Sequence, residues 1–167
     1  PHLVRAEIEA YLRETLGARH VLWLGEGIAG DDTDGHVDDM VRFVGPTTVV
    51  AAVEDDTGDE NHAPLADNLR RLRAMADQDG RRLEVVPLPM PAPLHDPATG
   101  KRLPATHANF YVTNRSVIVP VFGGPSDTKA IRILRRFFPD RLIAPLRAEG
   151  AVVGLGAWHC LTKQLPR

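Results

Sequence analysis

The sequence predicts an α/β fold built from a strand-strand-helix-strand unit that occurs twice. Three observations carry this. Short β-branched or apolar runs are broken by turn dipeptides, each pair of runs is followed by helical periodicity, and the two halves align. Phe43, Gly45 and Val49 match Val112, Asn114 and Ile118 at an offset of 69 residues. A fixed offset of that size implies similar units stacked about an axis.

The elements follow in order. Leu3, Val4, Ile8, Leu12 and Leu16 have the spacing of an amphipathic helix that stops at Gly17. Residues 20–24 read as a short strand, and residues 25–34 form a loop rich in Gly and Asp. Residues 37–44, the turn Gly45-Pro46-Thr47 and the β-branched run 48–53 read as an antiparallel hairpin closed by the acidic loop 54–60. Leu65, Leu69, Leu72, Met75 and Ala76 predict a helix over 64–76, with Pro64 in its first turn. A strand at 83–86 leads into a proline-rich stretch, 87–104, read as a long ordered loop because proline donates nothing to a ladder. The second unit has strands at 109–113 and 116–122 around Asn114-Arg115, then a helix over 127–138 and a strand at 141–144. Asp127 is its expected N-cap, and Pro139-Asp140 ends it. An apolar, glycine-bearing tail, 152–156, leads to Trp158, His159 and Cys160.

Composition narrows the function classes. A chain of 167 residues suffices for one compact domain. The net charge of −2, with both signs interspersed, supplies no positive field for a phosphate backbone, so nucleic acid is not an expected partner. No apolar run approaches the roughly 20 residues that span a bilayer, and the N-terminus lacks a basic-then-apolar leader, so no membrane is expected. The lone cysteine, Cys160, excludes an internal disulfide and fits a reducing, cytoplasmic setting. The sequence opens at Pro1 directly into a helix, which suggests processing or one part of a longer polypeptide.

Two places hold residues suited to chemistry. In Gly35-His36-Val37-Asp38, read as an extended segment, residues two apart share a face, so His36 and Asp38 point together as an acid/base and an anion. The same string fits a solvated acidic loop beside a satisfied histidine. Cys160 is the second place; a free cysteine fits a core position as well as a nucleophile. On an extended chain His159 would face away from Cys160, so the base partner is expected from elsewhere, with His36 the candidate. His2, His20, His62 and His95 have no partner pattern and are expected at the surface, while His107 is open. A cation site from His36, Asp38, Asp32 and Asp34 lacks EF-hand spacing or paired histidines, so no metal is expected.

Several strings occur in a telling order: Asp31-Asp32-Thr33-Asp34-Gly35-His36-Val37-Asp38, Asn109-Phe110-Tyr111-Val112, Val119-Pro120-Val121-Phe122-Gly123, Phe138-Pro139-Asp140 and His159-Cys160-Leu161-Thr162. From about Ile8 to the C-terminus the chain resembles agmatine deiminases and the bacterial, Porphyromonas-type peptidyl-arginine deiminases. The resemblance implies a pentein-type α/β propeller of five strand-strand-helix-strand modules, of which this chain is a partial set, roughly the last two and a fraction. Residues 1–167 would then be the C-terminal portion of a single deiminase catalytic domain whose N-terminal half is absent from this sequence, and the isolated chain is expected to be inactive.

The resemblance also assigns roles. Cys160 matches the nucleophile, His36 the general acid/base, Asp38 the carboxylate that grips the guanidinium, and Asn109 a polar residue near the site. Asp32 and Asp34 would suit the distal amine of agmatine. Trp158, bulkier than the residue common there, would either shape the substrate pocket or pack in the core. Leu155 and Ala157 depart from the Gly and Asn usual in agmatine deiminases. The implied reaction needs no cofactor. The implied partners are a small guanidine, agmatine first and peptidyl-arginine second, and the missing half of the same protein; a homo-oligomer is left open. Two rivals remain at this level: a propeller that only binds guanidines or amines, and a cysteine amidase of unrelated fold, which would need backbone N–H groups beside Cys160.

Overall fold

The computed structural model describes residues 3–32 and 35–165. Helix α1, Arg5–Leu16, ends at Gly17 in the left-handed conformation (φ 66°), as the periodicity predicts. Strands β1 (Val41–Phe43) and β2 (Thr48–Val53) form the first hairpin, with Val41 opposite Ala51 and Phe43 opposite Val49. Helix α2 (His62–Ala74) then returns the chain, so that β3 (Glu84–Pro89) lies parallel to β2. Strands β4 (Tyr111–Val112) and β5 (Ser116–Val121), helix α3 (Pro125–Phe137) and β6 (Leu142–Arg147) repeat the same antiparallel-then-parallel arrangement. The result is an α/β fold with two separate three-stranded sheets, ordered β1-β2-β3 and β4-β5-β6.

Several boundaries differ from expectation. Residues 20–24 are not a strand; Leu22 and Leu24 pack on the first core, and Trp23 is held by α1, its Nε1 donating to Glu9 at 2.7 Å. Asn68 of α2 secures the chain just beyond, accepting from Gly25 N–H and donating to Glu26 O. The repeat offset is not constant. Phe43 and Val112 lie 69 residues apart, but Thr48 and Ser116, which open the equivalent strands, lie 68 apart, so Val112 pairs with Val117. The second hairpin loop is one residue shorter.

Pro87 and Pro89, expected in a loop, belong to β3. This costs no bond because β3 has one neighbour, and an edge strand needs donors on one side only. The N-cap of α3 is Gly124 with Pro125 in the first turn, not Asp127. Asp127 sits inside that turn and reaches back, taking the N–H groups of Phe122 and Gly123 at 3.0 and 2.8 Å.

Alternation along β2 explains how the modules join. Val49 and Ala51 face α2 in one core, whereas Val50 joins Leu88, Phe110, Val117, Ala130 and Leu134 in a second. That second core lies between the first sheet and α3, so each unit buries a face on its neighbour. A third cluster, of Leu103, Ala148, Val152 and Ala157, supports the segment that leads to Cys160. Among the described residues no helix is long and apolar enough to cross a membrane.

Candidate active site

Three backbone segments build the site, and the first departs from the extended shape that its sequence suggests. The Asp31 carboxylate accepts the His36 N–H at 2.6 Å, and the chain turns into a 3-10 helix at Val37–Asp39. Successive side chains on a 3-10 helix are about 120° apart, so residues two apart do not share a face. His36 is left exposed at the N-cap, Asp38 turns inward, and Asp39 is buried to 1% exposure. Among the described residues no hydrogen bond joins the His36 ring to Asp38 or Cys160.

The second segment carries the thiol. Following the 3-10 helix Val152–Gly154, Leu155 adopts a left-handed conformation (φ 65°) and the chain closes into a turn, with Leu161 N–H donating to Ala157 O at 3.1 Å. A Cβ at Gly156 would lie 2.7 Å from Cys160 Cβ, so only glycine permits this approach. The expectation that His159 faces away from Cys160 assumed an extended chain, and the turn overturns it. His159 Nδ1 lies 2.6 Å from Asp38 Oδ2, and Cys160 Sγ lies 3.3 Å from the same oxygen.

Asn109, fully buried just before β4, ties these two segments together. Its Oδ1 accepts the N–H groups of His159 and Cys160 at 3.0 and 3.3 Å. That fixes which end of the amide is which, and Nδ2 faces Asp39 Oδ1 at 2.8 Å, Cys160 Sγ at 3.0 Å and Asp38 Oδ2 at 3.2 Å. The amide is fully engaged in holding the cluster.

Electrostatics follow from this crowding. Burial works to raise the Asp38 carboxyl, but hydrogen bonds from His159 and Cys160 outweigh it and hold it below the usual value. Burial and the neighbouring Asp38 charge push Asp39 up to about 7. Partial desolvation and the two acids also raise the thiol, against the hydrogen bond from Asn109. Arg42 of β1 is the cation nearby, with burial lowering its pKa against the attraction of Asp38, Cys160 and Asp39. Its Nη1 is committed to Phe110 O at 2.7 Å, and its guanidinium lies 4.7 Å from the Phe110 ring centroid.

Asp38, Asp39 and Cys160 each offer one donor atom within 4.8 Å of the others. The two N–H bonds of the Asn109 amide are shared among all three, an arrangement that suits acids bridged by N–H groups better than a coordinated ion. Beside the cluster a cleft of about 1060 Å³ runs between α1 and the first sheet. Leu12, Leu16, Leu24 and Phe43 line it, with Asp38, Arg42 and His159 on its wall.

The other expected site residues are scattered. Asp32 is exposed in its loop, and Asp34, like His2, lies outside the described residues. Trp158 packs on the third core cluster with Nε1 directed at Leu146 O, 3.4 Å away. His107 is buried and structural, its ring held between Pro120 O and Ser126 Oγ. Asp39 and His159, which the structure places in the cluster, were not among the expected site residues. An acid directly following the Asp38 position, and a histidine directly preceding the cysteine, were the available signals.

Fold and cluster together define a modular α/β protein with a thiol seated on carboxylates. The chain belongs to the Porphyromonas-type peptidyl-arginine deiminase family, whose sequence model matches residues 1–166. An agmatine deiminase from Ectopseudomonas mendocina (strain ymp) is 37% identical over 182 residues, an alignment covering 99% of this chain and 50% of that protein. The solved agmatine deiminase of Enterococcus faecalis superposes with a TM-score of 0.91 at 32% identity, covering 99% of this chain and 49% of that one. A substrate-bound agmatine deiminase of C. jejuni gives 0.85 at 30% identity, covering 95% and 45%. The chain thus spans about half the length of the relatives it matches.

Proposed function

We propose that this chain is the C-terminal, cysteine-bearing portion of a single deiminase catalytic domain that hydrolyses the guanidinium group of agmatine to N-carbamoylputrescine and ammonia. In this reading its two modules belong to a pentein-type propeller completed by the rest of a longer polypeptide. The observation that carries the reading is Cys160 Sγ, 3.3 Å from Asp38 Oδ2, with the buried Asp39 behind. A thiol beside two acids resists ionisation until a cation enters. A planar guanidinium is such a cation, and a carboxylate can hold it by charge-assisted hydrogen bonds with its carbon toward the sulfur.

The chemistry then proceeds in two balanced halves. Thiolate adds to the guanidinium carbon, forming the C–S bond, and one C–N bond breaks as ammonia leaves with a proton from the acid/base. Water, deprotonated by the same group, adds to the amidino-thioether; the C–S bond breaks and the ureido product departs. The resemblance gives the acid/base role to His36. Its ring is exposed at the N-cap of the 3-10 helix that carries Asp38, open to an incoming ligand.

A second reading, peptidyl-arginine as substrate, is favoured by the apolar cleft of about 1060 Å³ beside Asp38, which has more room than a short diamine needs. Arg42 gives it no help, because its Nη1 is engaged by backbone carbonyls. The test is ureido product and ammonia release from agmatine and from an arginine-terminated peptide, using the full-length protein. Agmatine turnover with retained guanidine binding but no turnover in Cys160→Ala is the expected result. Turnover by Cys160→Ala would exclude the covalent route, and binding of guanidines by the wild type without turnover would make the protein a binding module.

A further inference from the structure

His159 has no part in the scheme above, yet its side chain is fixed at the centre of the cluster. Its Nδ1 lies 2.6 Å from Asp38 Oδ2, the oxygen that also receives the Cys160 thiol at 3.3 Å and the Asn109 amide at 3.2 Å. Among the described residues no side chain hydrogen-bonds to Oδ1 of Asp38, and the backbone N–H that acts on this carboxylate is its own. A carboxylate that is to meet a planar cation must keep an oxygen for it and hold a fixed plane. Three donors on one oxygen meet both requirements.

The turn itself does not need the imidazole. The His159 N–H is taken by Asn109 Oδ1 and O, and its carbonyl by the N–H and hydroxyl of Thr162. The ring is therefore free to act on Asp38 rather than on the fold. We propose that His159 is a positioning residue for the reaction, clamping Oδ2 of Asp38 against the thiol so that Oδ1 is held ready for the guanidinium.

The charged and titratable groups around this clamp come from several elements. Asp38 and Asp39 face it from the 3-10 helix, Arg42 from β1 and Cys160 from its own turn. His20, Asp77 and Arg81 line the same cleft. Losing the contact removes a hydrogen bond between a charged acceptor and a short-range donor, which at the usual strength of such bonds is about 10- to 100-fold in an equilibrium constant.

The proposal rests on the deiminase reading for its substrate, so the test has one arm that does not. In the full-length protein, His159→Ala removes the ring, whereas His159→Asn keeps an N–H near the place of Nδ1. Two quantities are measured for each, with thermal melts to confirm folding: the agmatine concentration that half-protects Cys160 from iodoacetamide, and the pH midpoint of alkylation without ligand. His159→Ala is expected to need at least tenfold more agmatine and to show a displaced midpoint, and His159→Asn to stay within about threefold of wild type with its midpoint restored. His159→Ala within twofold of wild type in both assays, or His159→Asn as impaired as His159→Ala, overturns the clamp. If guanidines fail to protect even the wild type, the deiminase reading falls, and the alkylation midpoints alone decide the role of His159.

Discussion

Asp39 shows how a single residue couples the site to stability. Its carboxyl, 1% exposed, is pushed up to about 7, first by burial and then by the charge of Asp38. Below its unfolded value both states are protonated and the buried acid costs nothing; as pH rises toward 7 the unfolded chain ionises while the native one does not, so stability falls. Across that window the loss approaches about 4 kcal/mol at 1.36 kcal/mol per unit. His107 acts oppositely below its usual value, since burial lowers its pKa and the native state resists protonation. Comparing variants cancels this. Asp39→Asn keeps the shape and an acceptor for Asn109, so its urea midpoint is expected to exceed that of wild type at pH 8 and match it near pH 4; a constant difference at both pH values would rule the coupling out. At this scale the sequence singled out Asp38 and Cys160 through the strings that hold them, and the fold brings those two side chains together. It hid His159, because adjacency excludes a shared target only on an extended chain, and the turn closed around Gly156 is not extended. It read His36 and Asp38 on one face of a strand, and a 3-10 helix stands there instead.

Helix α3 illustrates what element-level reasoning captures and where it stops. Its periodicity and the following Pro139-Asp140 fixed its existence and end, because both depend on the local chain. Its start was misjudged, since Gly124 and Pro125 satisfy the same rules as Asp127 and only the three-dimensional path shows which groups Asp127 reaches. Strand ends followed the same logic. Proline argues against a strand in general but not at an edge, so β3 ran on through Pro87 and Pro89. Asp127 is then a clip joining the end of β5 to α3, and it also lies 3.6 Å from the buried His107. Its replacement by Ala is expected to cost about 1–2 kcal/mol, the usual loss when a carboxylate accepting two backbone N–H groups is removed. For a chain of 167 residues that lowers the thermal midpoint by roughly 2–8 °C. Asp127→Asn, which keeps one acceptor, should lose less; equal melting of all three proteins would show that the clip contributes nothing.

At the scale of the whole molecule, the two modules satisfy each other on one side only. The face of β2 that carries Val50 is covered by the second unit, yet Phe43 of β1, Leu142 and Leu146 of β6, and Leu3, Val4, Tyr11 and Leu16 around α1 remain exposed. Helix α1 has no buried residue at all among those described. Scattered apolar side chains are ordinary on a surface, but Leu16 and Phe43 line the apolar cleft, and an exposed apolar patch of that kind marks a place where another body docks. The relatives that match are about twice as long, so their further length is the natural cover in the proposed function. Two consequences can be measured on the 167-residue chain and on the full-length protein prepared side by side. The short chain is expected to bind a fluorescent apolar dye, to self-associate as its concentration rises and to turn over no agmatine. The full-length protein should do none of the first two and should release ammonia. The dye reports the uncovered faces and the ammonia reports the completed site, so the two can fail separately. A short chain that stays monomeric and dye-free would mean its exposed leucines need no cover, and agmatine turnover by that same chain would mean that Asp38, Cys160 and the groups around them suffice as a complete site.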